Sequence, residues 1–266
     1  ATVTVDRTLF TLNSAVQAGG VAVLAAGTTV FNDCERTHNT AMWAGGALYT
    51  NGASATLNRC RLDSNSASYG GAINNYNGSG ITLNTSLITR NSAHAGGAIH
   101  VDGLAAVALY GCTVADNNAT GPAMGDGIHI SSGFASVNSC VFRNGADELV
   151  GVAPGSVTYS VIQGGFVGTG NQDGNPRFVD SANGNYRLLA GSPCIDAADS
   201  GVLSASDIDG NLRLDDAGMV NIGAGAFGYY DVGCYEFQGT TELTVSVNVS
   251  GLFTGHEVEI DLAGGP

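Results

Sequence analysis

Ser86-Leu87-Ile88-Thr89-Arg90-Asn91-Ser92-Ala93-His94-Ala95-Gly96-Gly97-Ala98-Ile99 restates Cys60-Arg61-Leu62-Asp63-Ser64-Asn65-Ser66-Ala67-Ser68-Tyr69-Gly70-Gly71-Ala72-Ile73, 26 residues earlier. Working outward, Asn13, Asn39, Asn65, Asn91, Asn117 and Asn144 follow one another at spacings of 26, 26, 26, 26 and 27. Before them stand Thr8, Cys34, Cys60, Ser86, Cys112 and Cys140. After the first four come Gly19-Gly20, Gly45-Gly46, Gly70-Gly71 and Gly96-Gly97. A fixed period of this kind means stacked units, each burying its apolar side on the next.

Helical units need runs of helix formers, and Gly, Ser, Asn and Thr interrupt this chain throughout. Short segments rich in Val, Ile, Leu and Thr, bounded by Gly and Asn, read as strands joined by tight turns. The expectation is an all-β, right-handed parallel β-helix. Val5, Phe31, Leu57, Leu83, Leu109 and Val137 lie three residues before the small column; Phe10, Arg36, Leu62, Ile88, Val114 and Phe142 lie two after it. An odd offset on one side and an even one on the other fits a bend between two strands, all three columns facing inward. Arg36 is the one departure and is expected to mark a local bulge. Leu48, Ile73, Ile99 and Ile128 supply a further apolar column after the glycine corners, which need positive φ. The asparagines are expected to stack as a structural ladder, successive amides about 4.8 Å apart. Opposite charges meet on neighbouring coils at Arg7–Asp33–Arg59, Glu35–Arg61 and Arg90–Asp116, pairs expected to be worth under ~1 kcal/mol each.

The chain is 44% hydrophobic and 12% charged, enough apolar material for a long core. Its nine basic residues include no lysine, and the net charge of −14 argues against nucleic acid, an anionic membrane surface or acidic polysaccharide as partner. No stretch approaches the roughly 20 apolar residues of a membrane helix, and no signal peptide is visible, so the chain reads as a mature or trimmed segment. Cys34, Cys60, Cys112 and Cys140 share the small inward column and are expected to be free packing thiols. Cys194 and Cys234 stand outside the repeat; they are either free or joined by a disulfide, which would add roughly 3 to 4 kcal/mol. No cysteine pair has zinc-ligand spacing.

Three segments follow from the pattern. Residues 1–164 carry the coils. Residues 165–238, denser in Asp, Gly and Pro, are expected to cap the open end of the solenoid. Residues 239–266 carry alternating segments near 243–249 and 257–262 and read as the start of a truncated β-sandwich-like module, so that further domains of the same chain are expected. The N-terminus begins inside a strand, so further coils or a cap are expected before it.

The Gly-Gly-Ala-Leu/Ile tetrapeptides at 45–48, 70–73 and 96–99, alternating with Phe10-Thr11-Leu12-Asn13, Leu62-Asp63-Ser64-Asn65 and Ile88-Thr89-Arg90-Asn91, resemble the polymorphic outer membrane protein repeat. Residues 174–237, with Ser192-Pro193-Cys194-Ile195-Asp196, Asp207-Ile208-Asp209-Gly210-Asn211 and Asp231-Val232-Gly233-Cys234-Tyr235-Glu236-Phe237, are similar to the C-terminal part of bacterial β-helix proteins of the choice-of-anchor Q kind. The resemblance implies a secreted or surface-anchored bacterial protein with a pectate-lyase-like fold and, for the first family, adhesion. It implies no one reaction.

Elimination across uronic acids needs a basic residue and commonly calcium, and the missing lysines count against it. Hydrolases of this fold need clustered carboxylates about 5 to 9.5 Å apart. One column looks chemical: Tyr49, Asn74, His100 and His129, at matching strand positions and expected to face outward. His100 and His129 would project side by side with Asp102 and Asp126 nearby, a patch suited to a sugar, a metal or acid–base work. Trp43, Tyr69 and Tyr76 either offer stacking faces for sugar or pack the corners. His38, His94 and His256 have no evident partners. Asp207, Asp209, Asn211 and Asp215 form either a calcium loop, not of EF-hand type because glycine stands fourth rather than sixth, or a polar turn closed by aspartates. No cofactor is required on this reading.

The leading expectation is a non-catalytic, extracellular β-helix serving an adhesin-like or structural role, with a glycan or another cell-surface component as partner. The alternative is a polysaccharide hydrolase or lyase with its site on the His100/His129 face.

Overall fold

The computed structural model describes residues 2–145 and 147–239. The trailing segment expected to open a module, with His256, lies beyond residue 239 and so outside the described residues. Three parallel sheets run the length of a solenoid. The first has seven strands, from Thr2–Asp6 through Thr28–Asn32, Ser54–Asn58, Gly80–Asn84, Ala105–Tyr110 and Gly133–Asn138 to Val157–Thr158. The second has seven, from Leu9–Thr11 to Val161–Ile162, and the third six, from Ala22–Leu24 to Leu149–Val150. Every one of these pairings is parallel and in step with the repeat, so Val5, Phe31, Leu57, Leu83 and Leu109 form one inward row.

Each coil turns on specific backbone chemistry. The residue before the small column is left-handed: Arg7, Asp33, Arg59, Thr85, Ser139 and Tyr159 have φ between 44° and 57°, and Gly111 joins them at 59°. A second left-handed bend precedes the ladder at Leu12, His38, Ser64, Arg90 and Asp116. The two corner glycines are needed for different reasons. Gly45 has φ 62°, and a Cβ there would lie 2.2 Å from the Leu48 carbonyl oxygen; a Cβ on Gly46 would lie 2.2 Å from the Gly71 oxygen of the next coil.

The asparagines form a directional ladder. The Asn65 backbone N–H and Nδ2 both donate to Asn91 Oδ1 at 2.9 Å, and Nδ2 also donates to the Arg36 carbonyl at 2.9 Å. The same pair of bonds runs Asn13→Asn39→Asn65→Asn91→Asn117→Asn144. The last amide is met by a carboxylate: Asn144 N–H and Nδ2 donate to Glu148 Oε1 and Oε2. Inside, Cys34, Cys60, Cys112 and Cys140 are free and fully buried among the aliphatic rows.

Several expectations are corrected, and the open choice at Cys194 and Cys234 is decided. Arg36 marks no bulge: it pairs in register with Phe10 and Leu62 and is completely buried. Its guanidinium lies 3.9 Å from the Phe31 ring centre, a cation–π contact that partly offsets desolvation, while its three nitrogens have no acceptor. Arg61 donates to Tyr235 and Asp209 rather than to Glu35, and Arg90 to Asp63 rather than to Asp116; only Arg59–Asp33 forms as read, at 2.7 Å. Cys194 and Cys234 form no disulfide. They sit in two separate clusters, Cys194 against Val141 and Val161, Cys234 against Leu87 and Ala115.

Those clusters also relocate the C-terminal segment. Leu87, Ala115, Val141 and Val161 are outward positions of the second sheet, and Tyr186, Leu188, Ile195, Ile208, Val232 and Tyr235 cover them. The segment therefore lies along the flank of the solenoid. The end of the core is closed earlier in the chain, by Val152 and Phe166, while Gln172 adds one bridge to Val161. The flank segment is held by a fully buried Arg213–Glu236 ion pair at 2.8 Å and by an antiparallel hairpin of Phe178–Asp180 with Asn185–Leu188.

Candidate functional site

Among the described residues, nothing covers the third sheet in this way. Parallel register brings Val23, Tyr49, Asn74, His100, His129 and Val150 into one outward row. The His100 and His129 ring centres are 5.4 Å apart, the spacing of neighbouring coils. Beside this row, the residues that enter the glycine corners add Trp43 and Tyr69, 5.6 Å apart, and Tyr69 lies 5.2 Å from His100. On the other side, Tyr49 and Tyr76 stack at 6.5 Å. Together they bound an open cleft of about 530 Å³ lined by Trp43, Ala44, Tyr49, Tyr69, Asn74, Tyr76, His100, Asp102 and Ser131. A second cleft of about 420 Å³, lined by Val16, Gln17, Ala18, Met42, Trp43 and Tyr49, shares two of its rings.

Polar groups on the floor are locked in place. Asn74 Nδ2 donates to His100 Nδ1 at 2.9 Å, which leaves the ring proton on Nε2 to be donated to Ser131 Oγ at 3.0 Å. His100 is only 5% exposed, and burial, helped by the neighbouring His129 and opposed by Asp102, pushes its pKa down to about 4. Burial lowers His129 too, and its Nδ1 is buried without a partner. Asp102 Oδ1 accepts from Ser132 Oγ and from the Gly103 N–H, both at 2.7 Å, and these bonds hold its carboxyl below the usual range, the Ser132 bond foremost. At neutral pH the cleft thus carries neutral imidazoles and one carboxylate.

Of the residues singled out in sequence, Trp43, Tyr49, Tyr69, Asn74, Tyr76, His100 and Asp102 line the cleft, and His129 flanks it. Asp126 does not join them. It occupies the place that the second corner glycine takes in earlier coils, and its Oδ1 accepts the Ala119 N–H at 2.8 Å. Ser131 stands two residues after His129, as Asp102 stands two after His100, and escaped sequence reading because an uncharged serine does not mark itself. Its signal was that shared offset from the histidine row.

The Asp207 turn closes on itself. Asp207 Oδ1 accepts the Asp209 and Asn211 N–H groups, and Oδ2 accepts from Asn211 Nδ2 and the Glu236 N–H. Asp209 binds Arg61 and Arg187. Asp215 lies instead near Asp196, whose carboxyl is raised to about 6 by burial and then by its acidic neighbours Asp215 and Asp216. Among the described residues, no three His, Cys, Asp or Glu side chains converge as a metal-ligand group. Nor is any helix among them long and apolar enough to cross a membrane.

Three parallel sheets wound about one apolar axis, with a lateral cleft on the uncovered face, define a right-handed parallel β-helix protein. Residues 2–179 match the family model described as the right handed beta helix region, and the chain belongs to that family. No curated protein and no solved structure matches the chain significantly.

Proposed function

We propose that this β-helix is a non-catalytic carbohydrate-binding protein that holds a glycan in the cleft on its third sheet and displays it outside the cell, in an adhesive or structural role. The observation that carries this reading is the meeting of four aromatic rings, Trp43, Tyr49, Tyr69 and Tyr76, above a polar floor of Asn74, His100, Asp102 and Ser131. Ring faces stack on the apolar faces of sugars, and fixed amide, imidazole and hydroxyl groups select their hydroxyls. Trp43 is 63% exposed, a costly placement for packing alone. The extracellular setting and the bacterial surface role rest on the resemblance of the repeats; the buried free thiols require no oxidising compartment.

Binding is favoured over turnover on chemical grounds. Glycoside hydrolysis uses two carboxyl groups, and one faces this cleft. His100 has both ring nitrogens engaged and is held neutral, a poor proton shuttle near neutrality. A glycan array followed by calorimetry on the hits, with and without calcium, tests the reading. Binding lost in Trp43→Ala and Tyr69→Ala without product formation is the expected result. Product formation abolished by His100→Ala/His129→Ala would overturn it in favour of a carbohydrate-active enzyme.

A further inference from the structure

The charge pattern of the cleft narrows the ligand class. Its lining holds one charged side chain, Asp102, and none of the nine arginines of a chain that lacks lysine. Asp102 uses Oδ1 for Ser132 and Gly103, and Oδ2 accepts no hydrogen bond from any described residue. One carboxylate oxygen is thus left unengaged on a residue that lines the same cleft as four electron-rich rings. Rings bounding a cleft with a carboxylate favour cations twice over, through the ring quadrupoles and through a charge-assisted hydrogen bond. The field of a chain with net charge −14 acts in the same direction and repels uronates and sulfated sugars.

We infer that the cleft selects glycans bearing protonated amines, an amino-sugar chain with free ammonium groups, whose ammonium meets Asp102 Oδ2 while its sugar faces stack on Trp43, Tyr69, Tyr49 and Tyr76. This rests on the carbohydrate-binding reading above and adds the sign of the ligand's charge to it. The neutral His100 belongs to the same logic: an imidazolium at that position would repel the ammonium, and Asn74 and Ser131 fill both ring nitrogens in the uncharged tautomer.

Calorimetry at about pH 6, where sugar amines carry protons and the buried His100 imidazole does not, separates the outcomes. The probes are a glucosamine tetramer, an N-acetylglucosamine tetramer, a galacturonate tetramer and choline. The glucosamine chain should bind about ten-fold more tightly than the acetylated one in low salt. That preference should shrink at about 0.5 M NaCl, where charge is screened, and in Asp102→Asn. The salt arm needs no variant, so a misfolded Asp102→Asn leaves the test intact. Equal affinity for charged and acetylated chains, or tighter binding of galacturonate, overturns the charge inference and leaves the glycan reading standing. Choline binding as tightly as the glucosamine chain shows ammonium recognition without sugar and overturns the amino-sugar assignment. Binding by none of the probes, together with silence on the array, removes the glycan reading beneath it.

Discussion

The second and third sheets belong to the same solenoid and share its period, yet they end in opposite states. Outward positions on the second sheet are Leu87, Ala115, Val141 and Val161, and the chain returns to cover them. Outward positions on the third are Tyr49, Asn74, His100 and His129, and nothing in the described chain covers them. Aliphatic side chains gain only from being covered, whereas rings and amides can also gain from a ligand. In a solenoid, the chemistry of the outward rows decides which face becomes scaffold and which becomes binding surface.

The largest effect should come from the covered face. Arg213→Ala leaves Glu236 buried without its partner, a loss of about 3 to 5 kcal/mol. Chemical denaturation should show it, with the cleft's ligand affinity unchanged in the folded fraction. An affinity that fell in step would dissolve the distinction between the faces. Acidity separates them further. His100 titrates at about 4 when folded, against an ordinary histidine value of 6.5, so the unfolded chain takes up its proton first. Stability from this face is full above pH 6.5 and falls by roughly 3 kcal/mol as the pH drops toward 4. The covered face slopes the other way. Burial raises Glu236 to about 7 and Asp196 to about 6, so their contribution is present in acid and is lost as pH rises through these values. A pH series of wild type against His100→Asn should remove the His100 share of the acid-side loss and leave the slope of the covered face in place.

The interior serves both faces. Asn91→Ala removes the Nδ2 group that donates to Asn117 Oδ1 and to the Leu62 carbonyl, together with the Oδ1 that accepts from Asn65, and should cost about 2 to 3 kcal/mol. Hydrogen exchange should rise in the adjoining coils of both sheets together; a rise on one side would mean that the ladder does not join them. The smallest effect on stability belongs to Trp43→Ala, within ~0.5 kcal/mol because the ring is exposed. Its effect should appear in glycan binding instead.

What could be read in sequence was whatever repeats strictly. The ladder, the cysteine column and the three-sheet frame follow from a near-constant period, and the His100–His129 juxtaposition from the shared Ile-His step after each glycine corner, since parallel register turns matching positions into distance. Features that break the period stayed hidden. Asp126 turns away because it replaces a corner glycine, whereas Ser131 keeps the Asp102 offset from the histidine row and was hidden only by its plain residue type. Arg61 and Arg90 chose partners from the flank segment or from a diagonal neighbour, contacts that row-by-row alignment does not contain. The placement of residues 174–239 along the side depends on outward aliphatics at Leu87, Val141 and Val161, a signal present in the sequence but masked by the apolar character of β-strands in general.

Every amide in the asparagine ladder leans the same way, and Glu148 receives the last one. The column is therefore a one-way street with a terminus. Duplicating any whole coil between Asn39 and Asn117 would preserve each handover and yield a longer protein of the same kind, whereas a coil grafted past Glu148 would meet an acceptor with no amide to pass on. Length in this molecule is an inheritable variable, adjustable by gene duplication in the middle and closed at the carboxylate.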